Sequence, residues 1–222
     1  MFKQIFELFK SDSLYEQALK ECHDMLDIDK KMFNESIKTL RQTDTADISI
    51  DIYAMDKKIN QFERDVRRKI MTHLVVSGKE DLGSGLILVS VVIDIERIGD
   101  YTKNIYDLAV EHPKKLLGGN YEEKLLSIEE STSNFLNNAI DVFKDQNIDK
   151  ARELMKEYKV DISATSSDIV NSIVSGKNDE FSAQQASALC LYVRYLKRIA
   201  AHSRNLISSI VNPFERIGYP EK

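Results

Sequence analysis

A ten-residue string occurs twice in this chain, 101 residues apart: ERIGDYTKNI at 96–105 and KRIAAHSRNL at 197–206. The same offset joins Asp56 and Asn60, in DKKIN, to Glu157 and Asp161, in EYKVD. A spacing kept over several helical turns marks an internal duplication, so the fold must be two copies of one plan. The first copy carries the acids Glu96 and Asp100, where the second has Lys197 and Ala201. One half therefore keeps converging acids and the other has lost them.

The repeated plan is helical. In the stretch 46–76, Ile48, Ile52, Met55, Ile59, Phe62, Val66 and Ile70 recur at steps of four and three, the period of a helix and not of a strand. The same reading predicts helices over 12–42, starting near Ser11 or Ser13, over 46–76 and over 81–111 in the first half. In the second half it predicts helices over 121–145, 148–175 and 179–210. The β-branched run LILVSVVIDI at 86–95 invites a strand, but its flanks keep the helical period and no partner strand is available. Pro113 and Gly118-Gly119 mark the break between halves. The expectation is an all-α chain of two tandem antiparallel three-helix bundles, 1–115 and 120–210, with an extension at 211–222. Helices of this length need one another's apolar faces, and short connections make neighbours antiparallel.

Composition closes off several functions. The net charge is −5, against general nucleic-acid binding, which needs a basic face. No stretch has the length and apolarity of a membrane span; 82–95 is apolar-rich but short. The opening MFKQIFELFK carries no cleavable leader pattern and could be a weak docking segment or a first helical turn. Cys22 and Cys190 have neither disulfide nor zinc spacing and fit small buried side chains in a reducing compartment. No glycine-rich phosphate cradle and no nucleophile constellation is present.

The acids form the candidate site. Asp56, Asn60 and Glu63 lie along one flank of the second helix, beside Met55, Ile59 and Phe62. Glu96, Asp100 and Asn104 do the same on the third, beside Ile95 and Gly99, and antiparallel packing can bring the ridges face to face. Gly99, with no side chain, permits close approach despite about 1 kcal/mol of helix propensity lost. Like charges at i,i+4 repel, so Glu96 and Asp100 call for compensation. Three readings compete: a solvated face, salt bridges to Arg64, Arg67 and Arg97, and a divalent cation held by oxygen ligands. In the second half Lys197 can replace a cation by pairing with Glu157 or Asp161, and His202 reads as a structural histidine more than a ligand. Arg194, Lys197, Arg198 and Arg204 gather positive charge that could meet phosphate, an anionic headgroup or an acidic partner.

The string DIERIGDYTKNI at 94–105, with its degenerate copy KRIAAHSRNL, resembles the signature of the PhoU family, regulators of phosphate uptake built from two tandem three-helix repeats. Glu96 and Asp100 fall on the signature acids, and Asp56 and Asn60 on the polar positions of the preceding helix. The resemblance implies a metal ion (iron, zinc, manganese or magnesium) on Glu96, Asp100, Asp56 and Asn60. It implies no catalysis. It also implies a cytoplasmic regulator that contacts a membrane phosphate transporter or sensor kinase, with homo-oligomerisation and peripheral membrane contact open. The alternatives are a metal-dependent phosphohydrolase and a helical adaptor without a ligand.

Overall fold

The computed structural model describes residues 13–77, 80–112, 114–157, 162–177 and 181–221. These residues contain seven α-helices and no strand. The first half supplies α1 (Leu14–Gln42), α2 (Ile52–Ser77) and α3 (Leu82–Glu111). The second supplies α4 (Glu122–Asp145), α5 (Ile148–Glu157), α6 (Ile162–Val174) and α7 (Ala183–Val211). LILVSVVIDI lies inside α3 and is helical throughout.

Local chemistry explains the boundaries. Ser13 caps α1: its hydroxyl accepts from the Glu16 amide, and the Glu16 carboxylate accepts from the Ser13 amide. Ser182 and Gln185 repeat that reciprocal cap on α7. The second helix starts six residues later than its apolar period predicts. Asp51 Oδ1 accepts from the Ala54 amide at 2.9 Å and fixes the start there. Ile48 is left in the connection, half-buried against the core. Of the helix expected over 148–175, Ile148–Glu157 (α5) and Ile162–Val174 (α6) are helical, and 158–161, including Tyr158 and Asp161, lie outside the described residues. Ser11, Gly78 and Pro113 also fall outside them.

The helices of each half pack on one another, and α3 lies along α7, so that one hydrophobic core runs through both halves. Burial reproduces the duplication. Leu88, Val91, Val92, Ile95, Ile98 and Gly99 of α3 are buried, and so are Leu189, Tyr192, Val193, Leu196, Ile199 and Ala200, each 101 residues on. The first helices match at a spacing of 103: Met25, Met32, Phe33 and Leu40 against Ile128, Phe135, Leu136 and Phe143. In α6, buried Ile162 and Ile169 also stand 103 residues after Ile59 and Val66, two out of step with the third helices. Each fully buried Leu, Ile or Phe contributes roughly 1.5–3 kcal/mol, which is what holds such long helices.

A buried polar clamp joins the halves. Arg41 of α1 donates through Nε to Glu129 Oε1 of α4 at 2.6 Å and also bonds Glu122 and the Leu116 carbonyl. Tyr192 of α7 donates its hydroxyl to the same Glu129 oxygen at 2.7 Å. Cys22 is fully buried and Cys190 half-buried, both as free thiols. The segment after α7 folds back: Asn212 Nδ2 donates to the Tyr219 carbonyl and the Gly218 amide to Ser208 Oγ. The side chains of Phe214 and Tyr219 nevertheless stay exposed.

Candidate functional site

The apolar period of α2 and α3 places their acids on facing flanks, and the structure brings them together. Asp56, Glu63, Glu96 and Asp100 are all half-buried. Asn60 Nδ2 donates to Asp56 Oδ2 at 3.3 Å, so it orients that carboxylate. Asn104 is half-buried one turn beyond Asp100 on α3.

Arg97 Nη1 donates to Asp100 Oδ2 at 2.7 Å, and its Nε lies 3.5 Å from Glu96. Arg67 pairs with Glu63 at 2.7 Å. Arg64 stays exposed. The bridge across the two helices is a residue the sequence reading did not name: Lys103 Nζ donates to Asp56 Oδ1 at 2.9 Å and to Asp100 Oδ1 at 3.3 Å. One ammonium thus stands where carboxylates from two helices converge.

The other unforeseen residue is Asp29 of α1. It is fully buried, and neither carboxylate oxygen has a hydrogen-bond partner. Burial pushes its carboxyl well above the usual carboxylate range, and the neighbouring charges of Glu96, Asp56 and Asp100 push it further. Burial also raises Glu96, with Asp100 adding to it and Arg97 opposing. Gly99 makes this approach possible. A Cβ there would come within 2.9 Å of Asp29 Oδ1 and 2.9 Å of Ile59 Cδ1. The close approach expected of Gly99 is therefore to α1 as well as to α2. A signal for Asp29 exists in the sequence: it interrupts the apolar stripe Met25, Met32, Phe33 at helical spacing.

The donor set suits a hard cation. It is all oxygen, mostly carboxylate, with two unpaired buried oxygens behind it and an ammonium already drawn in. As the side chains stand, paired with Lys103 and Arg97, no group of three or more His, Cys, Asp or Glu among the described residues is disposed around a metal position.

The second half is built otherwise. Thr132, fully buried, occupies the place of Asp29, and Ala200 that of Gly99. Lys197 donates to Ser167 Oγ at 2.9 Å; its expected partners, Asp161 and the Glu157 side chain, lie outside the described residues. His202 is structural. Its Nδ1 donates to buried Asp94 Oδ1 at 2.7 Å, and its Nε2 accepts from Arg198 at 3.2 Å. Its ring stacks on Tyr101, the residue in the matching place of the first copy, at 5.8 Å. The expected basic patch is dispersed: Arg198 turns onto Tyr101, Lys197 onto Ser167, and Arg204 lines a cleft with Arg152 and Lys156.

Comparison with known proteins places this geometry. The PhoU domain model matches residues 22–109 and again 125–210. The chain is 21% identical over 209 residues to a phosphate-specific transport system accessory protein PhoU homolog from Clostridium acetobutylicum, covering 89% of this chain and 93% of the relative. The crystal structure of PhoU from Pseudomonas aeruginosa superposes with a TM-score of 0.73 at 18% identity, over 89% of this chain and 95% of that one. The phosphate transport system regulatory protein PhoU from Streptococcus pneumoniae gives a TM-score of 0.60 at 19% identity, over 89% and 88%. With the family model matched once in each half, this duplicated helical chain belongs to the PhoU domain family.

Proposed function

We propose that the chain is a cytoplasmic, non-enzymatic regulator of phosphate uptake and phosphate signalling, acting by contact with a membrane phosphate transporter or its associated sensor kinase. The family match in both halves supports this, as do the names of the relatives, one an accessory and one a regulatory protein of phosphate transport. Among the described residues no helix is long and apolar enough to cross a membrane, so contact with a transporter would be made from outside the bilayer.

The finer part of the proposal is a divalent or ferric cation on the first half, held by Glu96, Asp100 and Asp56, with Asn60 orienting Asp56. The observation that carries it is Asp29, a fully buried carboxyl with two unpaired oxygens beside three further acids. A bound ion would add fixed positive charge to this cluster. Lys103 now supplies part of that charge, and a cation taking its place releases it to solvent.

Metal analysis of protein purified without chelator tests the cation reading. The double change Glu96→Ala with Asp100→Ala should abolish retained metal, and unchanged stoichiometry would place the ligands elsewhere. A pull-down from membrane extract tests the regulatory reading. It should recover a phosphate-transporter or sensor-kinase component, and recovery of unrelated soluble proteins alone would favour an adaptor role.

A further inference from the structure

Away from the acid ridge, a cleft of about 360 Å³ opens where the starts of α1 and α3 meet the ends of α4 and α7. Its apolar lining is Tyr15 and Leu19 of α1, Ile87 and Leu88 of α3, Phe143 of α4 and Ile210 of α7. Tyr15, Leu19, Ile87 and Ile210 are only partly buried, and Leu86, beside Ile87, is exposed. Apolar surface gathered in a concave place marks a site that another segment covers.

The duplication shows what covers the matching place in the other half. There Leu40 stands for Phe143, 103 residues on, and Ala188 and Ala109 stand for Ile87 and Ile210 at the spacing of 101. All three are buried. The segment that precedes α4 is part of their cover. The Leu116 amide donates to the Leu40 carbonyl at 2.8 Å, Arg41 bonds the Leu116 carbonyl, and Leu116 is fully buried. In the first half the segment ahead of the first helix is 1–12, which lies outside the described residues. Its Phe2, Ile5, Phe6 and Phe9 recur at steps of three, one and three, an apolar stripe at the helical period, with Lys3, Gln4 and Glu7 opposite. This segment joins the fold at the cleft itself: Ser13 caps α1, and Tyr15 is already in the lining. An extended chain spans at most roughly 3.6 Å per residue, so Phe9 and Phe6 stay within about 14–25 Å of Ser13.

We propose that residues 1–10 fold back into this cleft of their own chain, seating Phe6 and Phe9 against Ile87, Phe143 and Ile210, as the segment around Leu116 closes the matching place in the second half. The two closures differ in how they are held. Leu116 is fixed through its backbone, whereas the Phe143 carbonyl already accepts from Gln146 Nε2 at 2.6 Å. The first segment is therefore held by apolar side chains. The closure is separate from the acid ridge and stands whether or not that ridge holds metal.

The test is NMR of the full chain with labelled Ile methyls and Phe rings. Nuclear Overhauser contacts from the Phe6 and Phe9 rings to the Ile87 and Ile210 methyls are expected. The double change Phe6→Ser with Phe9→Ser should shift both methyls. It lies ahead of the α1 cap, so the helices stay folded. A synthetic peptide of residues 1–10, added to that variant, should return the methyls saturably towards their wild-type positions, and the same peptide with both Phe changed to Ser should not. Absent ring–methyl contacts, or methyls that ignore the double change, overturn the proposal. Contacts seen only between copies, in a mixture of differently labelled chains, replace the chain's own segment by a second copy's and overturn it too. Binding to phosphatidylglycerol vesicles that needs Phe6 and Phe9 while Ile87 and Ile210 stay unmoved by the double change overturns it in favour of a lipid surface.

Discussion

Each half of this molecule buries a carboxyl group on its first helix, and the two are handled in opposite ways. In the first half Asp29 is fully buried, unpaired, and crowded by Asp56, Glu96 and Asp100. In the second, Glu129 is held by Arg41 and by the Tyr192 hydroxyl. By the 103-residue spacing Glu129 stands where the first half has Leu26, and Thr132 stands where it has Asp29. The paired acid staples α4 to α1 and α7. The unpaired one stabilises nothing as it stands, and a buried polar group left unsatisfied costs about 1–3 kcal/mol. Thr132 Oγ1 is also buried without a partner, but a hydroxyl carries no charge to desolvate, so the two repeats differ in the charge they bury at this place.

The largest expected effect breaks the staple. Arg41→Ala leaves Glu129 buried without its cation and should destabilise the protein by about 3–5 kcal/mol in urea unfolding. A loss below about 1 kcal/mol would mean that the seam between halves rests on apolar packing alone.

Next comes Asp29→Thr, which copies the second half into the first. The folded-state carboxyl titrates above its unfolded value, so the folded chain binds the extra proton and wild-type stability falls as pH rises above about 4. In chelator the variant should therefore be the more stable at neutral pH, by about 1–3 kcal/mol, with a smaller advantage at pH 4. Thermal melts across pH 4–8 read this out. A wild-type pH slope that survives the substitution would refute the contrast, and an added divalent cation should stabilise wild type but not the variant.

Gly99→Ala tests the close approach of α1 and α3. The new Cβ meets Asp29 and Ile59 at 2.9 Å, so overpacking of about 1–3 kcal/mol opposes roughly 1 kcal/mol of helix propensity gained. A net loss near 1 kcal/mol is expected. The reverse change at the matching place, Ala200→Gly, should also lose about 1 kcal/mol, from propensity. Equal and opposite results would show that the two sites pack alike.

The smallest expected effect separates the two lysines. Lys103→Met removes two partly buried ion pairs and should lower metal-free stability by up to about 1 kcal/mol while tightening cation binding. Lys197→Met loses one hydrogen bond, to Ser167, and should change stability by about 0.5–1 kcal/mol with no gain of metal. Metal retention rising equally in both would erase the distinction between halves.

Much of this is legible in the sequence. The apolar period marked every long helix, because burial of a helical face repeats with the backbone's own 3.6-residue turn. The offset of 101 identified α3 and α7 as copies, and the flanking positions of Asp56 and Asn60 on one helix and of Glu96 and Asp100 on the next put them on two ridges that antiparallel packing can bring face to face. Where the reading slipped, a local feature competed with the period. Asp51 capped α2 ahead of the apolar Ile48.

By itself the amino-acid sequence determined the helices, their duplication and the half that keeps its acids, since each of these is written in residues a few turns apart. Only the tertiary structure decided which charges meet. Asp29 reaches the ridge from a third helix through the gap at Gly99. Lys103 spans 47 residues to Asp56, Arg41 spans 88 to Glu129, and Arg152 spans 69 to Glu221. Periodicity says which face a side chain is on, but the partner it finds there depends on how far one helix slides past another. That register is set by the packing of the whole core and not by any local run of residues.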